Sequence, residues 1–419
     1  MLFRFDQLLL SLSSGLDAIE KEILGTTTNH GKRLAILTSA MGRQLKLDGN
    51  QMVCLVSCAL LHDNAVGEYR LHMRSQGGET QETNMQPHCE RGEENVLFLP
   101  FPCNVAGYIK YHHEFNDLSG PFGLCSEKLP LGSQIIALAD HLDVTLDLHT
   151  ENKISTDELR EYIQQRNGNL YTKQAADALL TVLTPALLSC LADSNVDKYL
   201  EETMPHWIIN RPATELMPIA ETLARITDYK SKFTAKHSVQ IANRAYFMAK
   251  QYGFDEEICA QLYIAAALHD IGKLITPVDV LEKPGKLTEE EYEIIKGHVY
   301  SSYMMLKDVD GLEEICRWAV THHRKLNNSG YPDLPKIYLT NDFMYRLMTC
   351  IDIYQAVRET RPYHERRTHE QTMEIMWTMA NRGEIDKSIT NDMDDLMAQF
   401  TQCDGDVPSP RMQSSAEPR

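Results

Sequence analysis

The stretch Asp255–Lys273, DEEICAQLYIAAALHDIGK, opens on an acidic turn after Gly253 and carries Ile258, Leu262, Ala265 and Leu268 at spacings of three and four. That period predicts a helix with an apolar face. The run ends on His269 and Asp270, where a core would take neither residue. Cys58–Glu68, CALLHDNAVGE, repeats the arrangement 207 residues earlier, with His62 and Asp63 in the same places. Working outward, LTEEEYEIIKGHVYSSYMML (Leu287–Leu306) begins with a capping box, Thr288 with Glu291, and continues as a helix. SQIIALADHLDVTL, TKQAADALLTVL and NDFMYRLMTCIDIYQAV read the same way, and alternating strand-like segments are scarce. The fold class expected is all-α, as two tandem helical domains.

A search for repeats supports the tandem reading. His30, His62, Asp63, His88, His112, His113 and Asp140 stand in the same order as His237, His269, Asp270, His298, His322, His323 and Asp352. His30 to His62 and His237 to His269 are both 32 residues. The next intervals are 26 against 29, 24 against 24, and 28 against 30. One His-Asp pair is weak evidence, because about one arises by chance in a chain of this length. The ordered set points to duplication.

Composition narrows the function. The chain has 419 residues, 43% hydrophobic and 24% charged, long enough for two domains with cores. A formal net charge of -18 argues against DNA, RNA or an anionic membrane as a partner held by the overall field. Ten cysteines occur without a CxxC pair, which reads as reduced thiols with no structural disulfide. The amino-terminal run Met1–Ile23 is interrupted by Asp6 and continues as an amphipathic helix, so it is expected to be a core helix and not a secretory signal. Other apolar runs, such as MVCLVSCALL, fall short of a membrane span. The expected location is cytoplasmic.

Imidazoles and carboxylates are ligands for first-row divalent metals such as Mn, Fe or Ni, and five histidines with two aspartates suit two ions roughly 3.5–4 Å apart. In that arrangement Asp270 bridges. Two ions lower the pKa of a shared water to produce hydroxide at neutral pH and clamp phosphoryl oxygens during in-line displacement. That chemistry is phosphoester hydrolysis.

The set His237, HDIGK (His269–Lys273), His298, HHRKLNNSGYP (His322–Pro332), CIDIYQAV with Asp352, and RPY (Arg361–Tyr363) resembles the HD-GYP subgroup of the HD-domain phosphohydrolases. The resemblance covers roughly Thr227 to Met379. It implies HD-type helical domains and hydrolysis of a cyclic dinucleotide to its linear form. It also implies one ion on His237, His269, Asp270 and Asp352, and a second on Asp270, His298, His322 and His323. Asp270 and Lys273 become the catalytic candidates, and Lys273, Arg324, Tyr331 and Arg361 the substrate-binding ones.

Several positions depart from the pattern. Arg324 replaces a glutamate common in the subgroup, and Asn327 and Asn328 replace an Asp-Gly pair. Phe233 stands where relatives with a third metal carry a carboxylate, so two divalent ions are expected. The duplicated layout is similar to tandem proteins that hydrolyse 3'3'-cGAMP, which is therefore favoured as substrate over cyclic di-GMP. The first half keeps all seven candidate ligands as a second metal site, but Val66 replaces the lysine, SGPFG replaces SGYP, and nothing like RPY follows Asp140. It is expected to be a degenerate partner that packs against or regulates the second half. The domain boundaries expected are 1–190, a linker at 191–215, a catalytic domain at 216–400 and a disordered tail at 401–419. Homo-oligomerisation stays open. The competing readings are a non-catalytic signalling scaffold and a phosphohydrolase acting on mononucleotides.

Overall fold

The structure, a computed structural model, describes residues 1–68, 85–151, 153–231, 236–331, 342–360, 365–403 and 406–410. Among these the regular structure is helical apart from two three-residue strands, Leu2–Arg4 and Ile208–Asn210, which pair with each other. Two compact units result: an N-terminal unit, Arg4–Ile208, and a C-terminal unit, Met1–Phe3 with Ile209–Arg419.

In the N-terminal unit, α1 (Phe5–Leu24), α2 (His30–Gln44), α3 (Gly49–Leu60), α4 (Gln86–Leu97) and α5 (Leu131–Leu146) carry the candidate ligands or their supports. Four shorter helices follow: α6 (Thr156–Arg166), α7 (Lys173–Val182), α8 (Pro185–Cys190) and α9 (Val196–Thr203). Helix α2 lies at the centre, against α1, α3, α5, α7 and α9. Its Leu34, Ala35, Ile36, Leu37 and Met41 are fully buried, each large aliphatic contributing roughly 2 kcal/mol.

The C-terminal unit repeats the plan. Its helices are α10 (Ala213–Asp228), α11 (His237–Gln251), α12 (Glu256–Leu268), α13 (Val278–Leu281), α14 (Glu289–Leu306), α15 (Glu313–Ala319), α16 (Phe343–Arg358), α17 (His369–Asn381) and α18 (Lys387–Met397). The series α10, α11, α12, α14, α16 matches α1 to α5 in order and in the ligands carried. The same capping device recurs as well. Asp17 at 2.9 Å accepts from the Gly31 N–H at the start of α2, and Asp228 at 3.0 Å accepts from the Ser238 N–H at the start of α11. The two units are an all-α duplication.

Helix α12 covers most of Asp255–Lys273. Asp255 caps it by accepting from the Ile258 N–H at 2.9 Å. The expected single apolar face is an understatement: Leu262 to Leu268 is buried without interruption, while Ile258 is only half-buried. Three consecutive alanines, Ala265–Ala267, let α10, α11 and α15 approach it from several sides. Glu256–Ile275 has the length and mean hydropathy (1.3) of a membrane span, contrary to the expectation that no run reaches that far. Here 78% of that window is buried inside the protein, and its end carries His269 and Asp270.

Three further expectations need correction. Cys54 on α3 is joined to Cys103 in a disulfide, although no structural disulfide was expected; the pairing spans 49 residues, so no local motif announces it. The linker expected at 191–215 takes in all of α9 and the first residues of α10, which runs on through Pro218. The tail expected to be disordered from 401 includes a docked segment: Val407 is buried, its N–H donates to Gln240 Oε1 at 2.9 Å, and its carbonyl accepts from Asn243 Nδ2 at 3.0 Å. Residues 404–405 and 411–419 lie outside those described.

One contact fixes the height of the site. A short 3-10 turn, Ile271–Ile275, follows Asp270 and rests on α14. The Gly272 N–H donates to Ser302 Oγ at 2.9 Å, and that hydroxyl donates to the His269 carbonyl at 2.8 Å. A Cβ at Gly272 would lie 2.1 Å from the His298 carbonyl oxygen and 2.4 Å from the Ser302 nitrogen, which are backbone atoms that cannot swing aside. Gly272→Ala is therefore expected to cost about 3 kcal/mol, as overpacking does, and to lower the midpoint of denaturant unfolding. A loss under about 1 kcal/mol would show that α14 can move off freely. In the N-terminal unit the glycine sits on the opposite partner: Ala65 matches Gly272 and Gly92 matches Ser302.

Candidate metal centre

The site in the C-terminal unit is assembled at helix ends. His269 directly follows α12, and its Nδ1 lies 2.6 Å from the Ala266 carbonyl, one of the last-turn carbonyls that no helical N–H reaches. His322 follows α15 by three residues and places Nδ1 2.7 Å from the Ala319 carbonyl. His298, within α14, places Nδ1 2.5 Å from the Ile295 carbonyl. His237, first residue of α11, places Nδ1 2.8 Å from Glu359 Oε2. In each ring one nitrogen is engaged by an acceptor outside the site, so in the neutral ring the proton sits there and Nε2 points inward as a lone pair.

Those lone pairs converge on Asp270. Its Oδ2 lies 3.3 Å from His237 Nε2 and 3.1 Å from His269 Nε2, while its Oδ1 lies 3.1 Å from His298 Nε2 and 3.9 Å from His322 Nε2. The two carboxylate oxygens thus face two different histidine groups. Asp352 on α16 sits across from it, with Oδ1 at 3.9 Å from His237 Nε2 and Oδ2 at 3.4 Å from His323 Nδ1. All seven expected residues come together. His298, His322 and His323 form one group of convergent donor atoms, and His237, His269 and Asp352 form another.

The chemistry of the donor set asks for a cation. Nε2 of His237, Nε2 of His269 and Oδ1 of Asp270 are buried and make no well-aligned hydrogen bond, despite neighbours within 3.3 Å. Acceptors face acceptors there. A positive ion satisfies all of them at once, and the residues present fit a metal of the borderline first row. The C-terminal end of α12, with its partial negative charge, favours the same sign.

The electrostatics agree. Burial would raise Asp270, but His269, Lys273 and His237 outweigh it and hold the carboxyl well below its usual range. Burial pushes His323 down to about 3, and pushes His322 well below the ordinary value with help from His323 and His269. Those two rings are neutral at ordinary pH, as metal donors must be. His237 differs: burial lowers it, yet Glu359 and Asp270 raise it to about 9. Below that pH a proton competes for Nε2, so metal binding is expected to release protons and to strengthen as pH rises toward 9. Calorimetric titration with Mn²⁺ at pH 7, in buffers of different ionisation enthalpy, reads the release. Glu359→Gln is expected to abolish the His237 share and to weaken binding about 10- to 100-fold; unchanged proton release would refute the assignment.

Residues 221–389 match the family described as "HD domain". They are an HD domain. Over 378 residues the chain is 29% identical to "3'3'-cGAMP-specific phosphodiesterase 1" of Vibrio cholerae serotype O1, covering 86% of this chain and 85% of that protein. It is 32% identical over 165 residues to "Cyclic di-GMP phosphodiesterase response regulator RpfG" of Xanthomonas campestris, covering 39% of this chain and 43% of that one. Among solved structures, the cyclic GMP-AMP specific phosphodiesterase V-cGAP3 of V. cholerae has the same fold, with a TM-score of 0.61, 23% identity, and coverage of 94% of this chain and 97% of that one. HD domains of this class are metal-dependent, in keeping with the convergent donors.

Around the HD domain's centre the expected substrate residues fall as follows. Lys273, 16% exposed at its side chain, places its ammonium on Asp270 Oδ2. Tyr331 stacks beside His323, with ring centroids 4.7 Å apart. Arg324 is half-buried, and its carbonyl accepts from Thr349 Oγ1 at 3.1 Å. Arg361 and the rest of RPY, and Phe233, lie outside the described residues. The Ser-Gly of the loop has a steric reason: at Gly330, with φ of 101°, a Cβ would fall 2.1 Å from the His323 carbonyl oxygen. Gly120 does the same over His113 in the N-terminal unit, at 2.6 Å.

The N-terminal unit gathers its seven residues in the same way. Asp63 Oδ1 lies 2.8 Å from His88 Nε2 and 3.3 Å from His112 Nε2, and its Oδ2 is 3.8 Å from His62 Nε2. Asp140 Oδ1 lies 3.2 Å from His30 Nε2, and Oδ2 lies 3.5 Å from His113 Nδ1. The sequence reading missed the carboxylates that orient the first histidine of each set. Asp143 does this for His30 at 2.7 Å, from one turn beyond Asp140, and Glu359 for His237, from two turns beyond Asp352. A carboxylate at helical spacing after the last ligand was the available signal.

Proposed function

We propose that the chain is a metal-dependent phosphodiesterase that hydrolyses a cyclic dinucleotide to its linear form, with 3'3'-cGAMP favoured and cyclic di-GMP next. The observation that carries this reading is Asp270, whose two oxygens face separate histidine groups as a bridging ligand requires. The 3'3'-cGAMP preference rests on similarity that extends over both units, whereas the similarity to the cyclic di-GMP enzyme reported above is confined to a minor part of the chain.

In this reading His237, His269, Asp352 and Asp270 Oδ2 hold one divalent ion, and His298, His322, His323 and Asp270 Oδ1 hold another. Mn, Fe or Ni suits these donors. Ions held there would supply Lewis acidity and a water nucleophile acidified at neutral pH. Lys273 steadies a non-bridging phosphate oxygen, a contact that draws its ammonium from Asp270. Tyr331 offers a ring face to a base next to His323. The water oxygen bonds to phosphorus as the bond to the ribose oxygen breaks, and a proton ends on the departing hydroxyl. The N-terminal unit, with Val66 in place of the lysine, acts as a regulatory partner and not as a second catalyst.

The test incubates purified full-length protein with Mn²⁺ or Fe²⁺ and, separately, 3'3'-cGAMP, cyclic di-GMP and a nucleoside monophosphate, followed by chromatography. Linearisation of 3'3'-cGAMP fastest, and none by Asp270→Ala, is the expected result. Turnover of the monophosphate alone would move the chain to a mononucleotide phosphohydrolase. The absence of any turnover would leave a scaffold.

A further inference from the structure

The N-terminal unit contains a buried carboxylate that has no counterpart among the described residues of the HD domain's centre. Glu20, on α1, is 1% exposed, and its Oε2 makes no hydrogen bond. It lies 3.9 Å from His30 Nε2, and it shares with His30 and His62 a space in which all three donor atoms fall within 4.8 Å of one another. His62 Nε2 is buried there and also makes no hydrogen bond, because His62 directs Nδ1 to the Ala59 carbonyl at 3.0 Å. Isolating a carboxylate in this way is strongly unfavourable unless a cation or a proton meets it. Burial and Asp63 raise Glu20 well above the ordinary range.

The two caps locate the matching place in the HD domain. Asp17 and Asp228 perform the same capping, so three residues onward Glu20 matches Ser231, a residue that cannot supply a charge. The exchange is reciprocal. Among the described residues, the HD domain's centre has two donor carboxylates, Asp270 and Asp352, and the ammonium of Lys273, while the N-terminal centre has three, Glu20, Asp63 and Asp140, and Val66 where the lysine would be. One centre can attract a phosphate. The other can only attract cations.

We propose that the N-terminal unit is a metal-binding domain in its own right, whose centre takes Glu20 as an eighth protein ligand and retains first-row divalent ions as a permanent part of the fold. Glu20, His30 and His62 hold one ion; Asp63, His88, His112 and His113 hold its neighbour. Asp63 would stand between the two groups as Asp270 does in the other unit, its Oδ2 toward His62 and its Oδ1 toward His88 and His112, and Asp140 would join Glu20, His30 and His62 as Asp352 joins His237 and His269. This assignment does not depend on the reaction proposed for the HD domain.

The experiment uses the full chain carrying Asp270→Asn and His322→Ala, which disable the HD domain's centre. The protein is stripped with EDTA, reloaded with Mn²⁺ or Co²⁺, gel-filtered and measured for metal by mass spectrometry and, for Co²⁺, by visible absorption. Roughly two ions per chain are expected to remain. Adding Glu20→Gln, which keeps the volume and removes the charge, is expected to lower retention by about one ion and to change the Co²⁺ spectrum, with Glu20→Asp restoring part of both. Circular dichroism in EDTA checks that the variants fold; should Glu20→Gln fail there, His62→Gln must show the same loss. A disabled-centre chain that keeps no metal, or a folded Glu20→Gln chain that binds identically, overturns the proposal.

Discussion

Replacing Asp270 by asparagine is expected to remove hydrolysis almost completely, with kcat/KM down on the order of 10³-fold or more. The side chain keeps its size, so the fold should survive. What changes is the second oxygen: an amide NH2 would now face either the His237 and His269 nitrogens or the His298 nitrogen, which lie 3.1–3.3 Å from the present oxygens. A donor cannot share a cation with those lone pairs. The metal content of the HD domain should fall in step with activity, read on the same preparation. Activity above a tenth of the wild type would mean that Asp270 does not bridge.

The second large effect is expected at Lys273, and it should have a different signature. Its ammonium rests on Asp270 Oδ2 from a position only 16% exposed, where a charge-assisted contact to phosphate contributes roughly 1.5–3 kcal/mol. Lys273→Met should therefore lower kcat/KM about 10- to 150-fold. Metal content should be unchanged or higher, because the methionine removes a cation that competes for the same oxygen. Lys273→Arg should recover only part of the rate, since a planar fork replaces a compact charge. Loss of metal along with activity would assign the lysine to holding Asp270 in place and not to the substrate.

Much of this was legible in sequence because both structure and chemistry repeat at short range. The period of Asp255–Leu268, the capping box at Thr288 and the paired spacings from His30 and His237 each lie within about 30 residues, and helices and ligand order follow from them directly. Groups brought in from afar were not legible. Glu20 reaches the N-terminal centre from the preceding helix, and Cys103 meets Cys54 across a segment with no motif. The composition of Asp404–Arg419, rich in proline, serine and charge, pointed to disorder, yet a single valine with both backbone groups bonded docks part of it. Composition averages over a window. A docked segment needs only one residue.

That docked segment bears on how the protein is handled. Gln240 and Asn243, which receive Val407, stand one and two turns along α11 from His237. Trimming the chain after α18, an obvious way to tidy its terminus for crystallisation, would uncover two amides on the helix that presents a ligand. Kinetic values from trimmed and full-length preparations would then describe different molecules. Any affinity handle should leave residues 406–410 undisturbed, so that Val407 stays bonded to Gln240 and Asn243.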